Sequence, residues 1–211
     1  AEAGDSYTSV NAATIQSGYG IAMASTLRAT SGKATVQFVG GQTQPSAKSS
    51  FQLTQENSIE FLKLTAVYTS RDGNNPLQAA IDKINAVASD TYESLYTPHA
   101  AEWATYWKTS DVQIEGDESS QLAIRFTQYH ILIAAPRHDD DVSIGAKTLS
   151  GTGYKGHVFW DTELFIVPPL ILGQPKLARN LLMYRYHRLA GARNKAKANG
   201  FEGAMFPWES T

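Results

Sequence analysis

Two tryptophan–carboxylate pairs are the residues of this chain best suited to hold a ligand. Trp160-Asp161 follows a run with glycines at positions 151, 153 and 156, and Trp208-Glu209 lies near the end of the chain. A glycine-rich segment lets the backbone approach a ligand without a Cβ clash. An indole can cover the C–H face of a sugar ring while the adjacent carboxylate accepts hydrogen bonds from two hydroxyls. The two pairs together indicate a carbohydrate-binding site.

Each part of this motif also has a purely structural interpretation. A tryptophan at the start of a helix is more often a core residue than a ligand platform. Asp161 precedes Thr162-Glu163, and its role can be limited to capping a helix. The glycines at 151–156 fit a G-x-G-x-x-G spacing, but no strand–loop–helix unit surrounds them. Ser143, His157 and Asp161 supply the residue types of a Ser-His-Asp triad, without a nucleophile elbow around any serine.

The composition argues against several other kinds of site. The chain has no cysteine, which excludes disulfides, thiolate metal sites and cysteine nucleophiles and fits any compartment. A formal net charge of −2 without a basic block gives no indication of nucleic acid or an anionic membrane as partner. The longest apolar stretch, 164–172, is too short to cross a bilayer. Asp139-Asp140-Asp141 lacks the spaced ligands of a calcium loop, so we expect no metal there and a solvated turn, or partners for Arg137 and His138.

The first 70 residues are rich in β-forming residues. Three segments, 17–24, 34–39 and 59–68, are predicted as strands and are separated by Gly, Pro and Asn. Three or four strands alone would leave sheet faces uncovered. The region is therefore interpreted as the end of an antiparallel β-sandwich.

A helical linker is predicted over residues 71–118. The turn formers of 71–76 end the last strand, and residues 77–95 have helical spacing. Pro98 is expected to end that helix or to begin the next one. Trp103 and Trp107, four residues apart, are interpreted as a packed stripe between a helix and a sheet rather than as a ligand site.

Apolar helices and one long loop are predicted after residue 118. The helices run from a cap at Ser119 or Ser120 to Ala135, over Thr162–Leu172 with a kink or a split at Pro168-Pro169, and from Pro175 to Asn199-Gly200. The loop between the first two spans about 25 residues, a length that usually indicates function. Arg185 lies in mid-helix, where pairing with a carboxylate is at least as good an interpretation as a catalytic role.

Four segments carry a resemblance to one family. They are 133–140, 143–163, 178–187 and 203–210, and together they resemble glycoside hydrolase family 65. That family contains maltose, trehalose, nigerose and kojibiose phosphorylases, acid trehalases and some α-glucoside hydrolases. The likeness is dense from residue 120 onward and loose before residue 70.

The resemblance implies a multidomain β-then-α architecture. It places the C-terminal part of an N-terminal β-sandwich at 1–70, a helical linker at 71–118, and the truncated first part of an (α/α)6 barrel catalytic domain at 119–211. Trp160 and Asp161 are expected to grip the non-reducing glucose. Trp208 and Glu209 are expected to form further walls of the same subsite.

The implied activity is inverting phosphorolysis of an α-linked glucose disaccharide or oligosaccharide to glucose 1-phosphate and a free sugar. The family's general acid, a glutamate, is expected beyond Thr211, so the catalytic residue is unknown here and the 211 residues are interpreted as an inactive fragment. No cofactor is implied, because acetal cleavage needs only proton transfer and charge stabilisation, with inorganic phosphate as co-substrate.

Two alternatives remain open at this point. One is an α-glucoside hydrolase of the same family, similar to trehalases or kojibiose hydrolases, and the other is a non-catalytic carbohydrate-binding protein. A phosphorylase would be expected in the cytoplasm, and a hydrolase in the periplasm or outside the cell. Relatives are commonly homodimers, so the resemblance allows a homodimer.

Overall fold

The computed structural model describes residues 1–148, 151 and 153–210. Leu149, Ser150 and Thr152 of the predicted loop, and Thr211, lie outside the described residues. The chain divides into two units, Ala1–Pro98 and His99–Thr211. Strands occupy most of the first unit, and helices occupy most of the second.

A four-stranded antiparallel sheet and a separate hairpin form the first unit. The sheet has the order β1-β2-β3-β6, and β4 and β5 form a two-stranded sheet. The strands are β1 (Glu2–Ala3), β2 (Thr8–Ala13), β3 (Gly20–Ala29), β4 (Ala34–Val39), β5 (Ser46–Phe51) and β6 (Phe61–Thr69). Helix α1 (Pro76–Ala86) follows and begins at a proline, with the Asn75 side chain accepting a hydrogen bond from the backbone of Gln78.

Helix α1 packs against one face of the sheet. Alternate residues of a strand point to opposite faces, so Ala22 and Ala24 of β3 are fully buried while Ile21 and Met23 are exposed. Small side chains on the buried face let the helix approach closely, and Ile84 of α1 fills the remaining space. This face is covered by a helix, and the β-sandwich and the domain bounds at 70 and 118 remain predictions.

The predicted strands are present, but three others, β1, β2 and β5, escaped prediction. Strands β2 and β5 have the sequences TSVNAA and SAKSSF, which combine few branched or aromatic residues with little alternation. Pairing with β3 and β4, rather than local preference, holds them extended. The first predicted strand begins three residues later than expected, because residues 14–19 form a turn in which Gly18 adopts a φ of 69°.

Helices of the second unit enclose one apolar core. They are the C-terminal part of α2 (Tyr92–Ser110), α3 (Glu118–Ala134), a π-helical turn (Thr162–Ile166), α4 (Val167–Gly173) and α5 (Pro175–His187). Helix α6 (Leu189–Ala198) follows α5 and buries Ala192 and Ala196. Leu132, Leu170 and Leu181 lie in this core, and Leu181 is completely inaccessible. Within the described residues, no helix has the length and apolar character needed to cross a membrane.

Two predictions about helix ends are wrong. Pro98 lies inside α2 rather than at an end, since one missing backbone donor costs less than the bonds of a nineteen-residue helix provide. Helix α3 is capped by Asp117, not by Ser119 or Ser120. The Asp117 carboxylate accepts hydrogen bonds from the backbone N–H groups of both serines, which satisfies two donors at once.

The later helices are divided at other positions than predicted. The segment 162–172, for which a kink or a split at Pro168-Pro169 was predicted, divides after residue 166 into the π-helical turn and α4, because Pro168 suits the first turn of a new helix. The long helix from Pro175 ends at His187, and α6 begins after Arg188 and ends before Gly200, whose φ is 77°. The predicted stripe of Trp103 and Trp107 between a helix and a sheet differs from the packing found: the ring contacts of Trp103 are with residues of α2 and α3, among them Tyr129 at a centroid distance of 5.0 Å.

Candidate functional site

A short antiparallel ladder brings the two tryptophan–carboxylate pairs together. Strands β7 (Val158–Phe159) and β8 (Glu209–Ser210) have two residues each, with Phe159 opposite Glu209. Trp160 and Asp161 directly follow β7, and Trp208 directly precedes β8. The Nε1 of Trp160 also donates a hydrogen bond to the carbonyl oxygen of Pro207 at 2.7 Å. Residues that lie almost fifty positions apart therefore form one cluster.

Phe159 packs against two aromatic residues around this cluster. Its side chain is buried, and its ring contacts both Tyr154 and Trp208, at centroid distances of 5.3 and 5.1 Å. Both contacts are edge-to-face, the arrangement that aromatic quadrupoles favour. Trp160 and Trp208 keep 44% and 61% of their surface exposed, so both indoles remain open to a ligand.

The two acids of the cluster have different environments. Glu209 is exposed, and its Oε1 lies 2.6 Å from the Nδ1 of His157, which leaves Oε2 for another donor. Asp161 is exposed and makes no capping hydrogen bond. Its backbone is already helical, with φ −53° and ψ −34°, whereas a capping residue needs extended backbone. The interpretation of Asp161 as a mere helix cap is therefore wrong.

A left-handed turn lies shortly before β7, which carries the chain into the cluster. Tyr154, Lys155 and Gly156 have φ values of 57°, 52° and 78°. Tyr154 and Lys155 are non-glycine residues with left-handed backbone angles, which strains the backbone, and such strain is often found at ligand sites. A Cβ at Gly145 would lie 3.0 Å from the carbonyl oxygen of Gly156, so a side chain at position 145 would require one of these two segments to shift. The sequence interpretation had not singled out Gly145.

Arg185 has the carboxylate partner that one interpretation predicted. Its Nε and Nη2 each donate to Glu163 at 2.9 Å, and only 8% of the arginine is exposed. A third donor, Nη1, lies 3.2 Å from the hydroxyl oxygen of Ser210. The pair therefore connects the segment after Asp161 with the strand that carries Glu209.

Other sequence candidates are placed elsewhere or have other partners. Asp140 and Asp141 contact His187 and Arg188 at 3.3 and 2.7 Å, so the prediction that they pair with Arg137 and His138 is wrong for these two acids. Arg137 instead donates to the Tyr106 hydroxyl. The described residues contain no group of three or more His, Asp or Glu side chains able to hold a metal ion.

The hypothesis of a Ser-His-Asp triad does not match the geometry. The carboxylate bonded to His157 belongs to Glu209 and not to Asp161. The Ser143 hydroxyl oxygen is buried and has no hydrogen-bond partner among the described residues. A nucleophilic serine needs a base within hydrogen-bond reach.

A concave feature lies between α3 and α4. It has a volume of about 390 Å³ and is lined largely by apolar side chains, among them Ile131, Leu132 and Leu170. The carboxylate of Asp111, the acidic residue of its lining, accepts hydrogen bonds from Nε and Nη2 of Arg125. The tryptophan–carboxylate cluster differs in presenting two exposed acids, Asp161 and Glu209.

Family models match both parts of the chain. The model of the N-terminal domain of glycosyl hydrolase family 65 matches residues 1–106, and the model of its central catalytic domain matches residues 125–211. This chain belongs to glycosyl hydrolase family 65. The sheet-rich region followed by helices agrees with the order of domains in that family.

Relatives in family 65 include enzymes of two kinds. A kojibiose phosphorylase of Halothermothrix orenii is 43% identical over 82% of this chain and 24% of its own length. A nigerose phosphorylase of Lachnoclostridium phytofermentans is 38% identical over 84% of this chain and 24% of its own. A kojibiose hydrolase of Flavobacterium johnsoniae is 41% identical over 72% of this chain and 22% of its own. The chain spans about a quarter of the length of these relatives.

A solved structure supports the family 65 fold. It is described as a candidate kojibiose phosphorylase from human microbiome and superimposes with a TM-score of 0.79. The match covers 99% of this chain and 28% of that chain, with 21% of residues identical. At this identity the likeness concerns the fold alone, and the role of Trp160, Asp161, Trp208 and Glu209 in sugar binding remains a prediction.

Proposed function

We propose that this chain provides the glucose-holding part of an inverting α-glucoside phosphorylase. The observation that carries the proposal is the β7–β8 ladder, which places two exposed indoles and two exposed carboxylates in one cluster. The indoles of Trp160 and Trp208 would cover C–H surface of the non-reducing glucose. Asp161 and the free oxygen of Glu209 would accept hydrogen bonds from its hydroxyls.

The reaction itself needs two further groups. In inverting cleavage, a carboxylic acid gives its proton to the glycosidic oxygen as the bond from that oxygen to the anomeric carbon breaks. Phosphate oxygen attacks the anomeric carbon from the opposite face, which yields glucose 1-phosphate and the free sugar. No residue of the 211 is assigned to the acid or to the phosphate site. We therefore expect the chain by itself to bind glucose without turning over a disaccharide.

The proposal includes the architecture around the site. Residues 1–70 would form the end of a β-sandwich, 71–118 a linker, and 119–211 the first part of an (α/α)6 barrel. Buried apolar residues on α3, α4 and α5 support the last assignment, because such helices share one core. The substrate would be an α-linked glucose disaccharide, with inorganic phosphate as co-substrate and no other cofactor.

Glucose titration tests the binding part of the proposal. A ligand with twelve non-hydrogen atoms and about 0.3 kcal/mol per atom binds with a Kd of roughly a few millimolar. We expect tryptophan fluorescence of the chain to change with glucose in that range. The double variant Trp160→Ala/Asp161→Ala should lose the response, whereas Trp107→Phe, on α2, should keep it. An unchanged response in the double variant would contradict the proposal.

The second candidate function is carbohydrate binding without catalysis. It is compatible with the same cluster, since binding needs neither the acid nor the phosphate site. Sequencing the gene downstream of the codon for Thr211 distinguishes the two. Continuation over several hundred codons with a glutamate in the acid loop of the family supports the enzyme, and a stop codon directly after Thr211 supports the binding protein.

Hydrolysis by the same family is distinguished by its product. The relatives named phosphorylase favour phosphorolysis, and the relative named kojibiose hydrolase supports water as the attacking group. If the reading frame encodes the acid, its protein product should release glucose 1-phosphate only when phosphate is present. Release of free glucose at the same rate without phosphate would favour the hydrolase.

A further inference from the structure

Ser210 lies where helix α5 meets strand β8. Its hydroxyl oxygen is 2.8 Å from the Tyr184 hydroxyl and 3.2 Å from the Nη1 of Arg185. Both partners are buried residues of α5. These contacts attach the end of the strand that carries Glu209 to the helix.

Arg185 reaches a second segment at the same time. Its Nε and Nη2 bind the two carboxylate oxygens of Glu163, which follows Asp161 by two residues. A guanidinium presents its donors in a rigid planar fork, so the positions of its two partners depend on each other. One buried side chain therefore contacts the segments of both tryptophan–carboxylate pairs.

The helix side of this connection is itself fixed. The guanidinium of Arg188 lies 3.9 Å from the centre of the Tyr184 ring and donates to Asp141 at 2.7 Å. Tyr184 is 2% exposed, so its hydroxyl is held in one place. Ser210 thus receives two contacts from side chains that have little freedom to move.

We propose that Arg185 and Ser210 are positioning residues that fix Trp208-Glu209 relative to Trp160-Asp161. The sugar-binding consequence rests on the proposed function, whereas the positioning concerns the ligand-free protein. Placement matters because binding groups misplaced by about 1 Å can cost roughly a hundredfold in function. Neither residue needs to contact the sugar to have this effect.

Fluorine NMR of the chain labelled with 5-fluorotryptophan tests the positioning directly. The chain has four tryptophans, and each signal can be assigned from a Trp→Phe variant. Arg185→Lys keeps the charge but cannot reach Glu163 and Ser210 together, and Ser210→Ala removes only the hydroxyl. We expect the Trp208 signal to shift or split in both variants. The signals of Trp103 and Trp107 should stay unchanged. A general loss of structure would instead shift all four signals.

Arg125→Lys is the matched control. Arg125 binds Asp111 with the same two-pronged geometry, at 2.8 and 2.7 Å, in the same unit. This variant should leave the signals of Trp160 and Trp208 in place. An unchanged Trp208 signal in both Arg185→Lys and Ser210→Ala would overturn the positioning role.

Glucose titration of the same samples separates this inference from the proposed function. We expect the Kd to rise about tenfold or more in Arg185→Lys and Ser210→Ala, and to stay constant in Arg125→Lys. If the Trp208 signal shifts in these two variants but the unsubstituted chain binds no glucose, the positioning role is supported and the proposed function is contradicted. If the unsubstituted chain binds glucose, all variants bind it equally well and the Trp208 signal does not shift, the positioning role is contradicted and the proposed function is supported.

Discussion

The Nε1 of Trp160 lies 2.7 Å from the carbonyl oxygen of Pro207, and this bond spans 47 positions of sequence. It uses the polar atom of the indole for structure and leaves the ring face available. One tryptophan can therefore hold two segments together and still serve as a platform. The pairing of β7 with β8 reinforces the same contact.

Trp160→Phe should separate these two roles. The phenyl ring keeps an aromatic face but loses the donor, so we expect the free energy of unfolding to fall by about 1 kcal/mol. Urea unfolding measures this change. Trp208→Phe is the control, since its edge contact with Phe159 survives and the change should stay within about 0.5 kcal/mol. Equal losses in the two variants would show that the bond to Pro207 contributes nothing.

Asp161→Asn should affect sugar binding far more than stability. Hydrogen bonds to a charged acceptor contribute roughly 1.5–3 kcal/mol, so glucose affinity should fall by about tenfold or more. The melting temperature should hardly change, because Asp161 does not cap the helix that follows. Calorimetric titration and thermal unfolding give both values, with Glu93→Gln in the first unit as an exposed-acid control. A lower melting temperature with intact glucose binding would contradict this prediction.

Removing one partner of the Arg185–Glu163 pair should lower the free energy of unfolding more than removing both charges together. Arg185→Met leaves a poorly hydrated carboxylate, and we expect it to destabilise the chain by about 3 kcal/mol. The double variant Arg185→Met/Glu163→Leu should lose less than the sum of the single changes, by at least about 1 kcal/mol. A double-mutant cycle of urea unfolding measures the coupling. Additive losses would mean that the two charges do not stabilise one another.

Acid should weaken the N-terminus of α3. The Ser120 hydroxyl and the backbone N–H groups of Ser120 and Ser119 lower the pKa of Asp117, against a smaller opposing effect of desolvation. A depressed folded-state pKa means that the stabilisation is complete above the ordinary aspartate pKa and is lost as pH falls through the lower folded value. Carboxyl NMR titration and melting curves at decreasing pH measure both effects.

Ser120→Ala supplies the test of that cause. It removes the largest contribution, so the pKa of Asp117 should move back toward its ordinary value, and the acid-induced loss should become smaller and reach completion at higher pH. Asp117→Asn should abolish this part of the pH dependence altogether. A titration curve for Asp117 that Ser120→Ala leaves unchanged would exclude the hydroxyl as the cause.

The parts of the site that could be predicted from the sequence are the side chains with distinctive chemistry. The two tryptophan–carboxylate pairs were recognisable by residue type, and pairing with an acid was one of two interpretations of Arg185. Which acid it would be could not be read from spacing, because Glu163 reaches it only through the fold. Asp117 was missed as the cap since Asp, Ser and Ser at 117, 119 and 120 are all suitable residues.

The connection between the two pairs could not be predicted from local patterns. Val158-Phe159 and Glu209-Ser210 are too short for alternation to be visible, and their pairing depends on the helices that lie between them. The same limit explains β2 and β5, which are strands because of their partners and not because of their composition. Helix α3, which has a long periodic pattern, was located correctly apart from its ends, whereas the helix predicted from Pro175 to Asn199-Gly200 is divided into α5 and α6.

The β7–β8 ladder also determines when the cluster can form during folding. Joining Phe159 to Glu209 closes a large loop, and the entropy of that closure must be overcome before two residue pairs can return any stabilisation. Local helices such as α5 do not face this delay. In stopped-flow refolding, far-ultraviolet ellipticity should therefore recover before the fluorescence change of Trp208, measured in a variant whose other tryptophans are replaced by phenylalanine. Simultaneous recovery of the two signals would mean that the ladder belongs to the nucleus rather than to the final step.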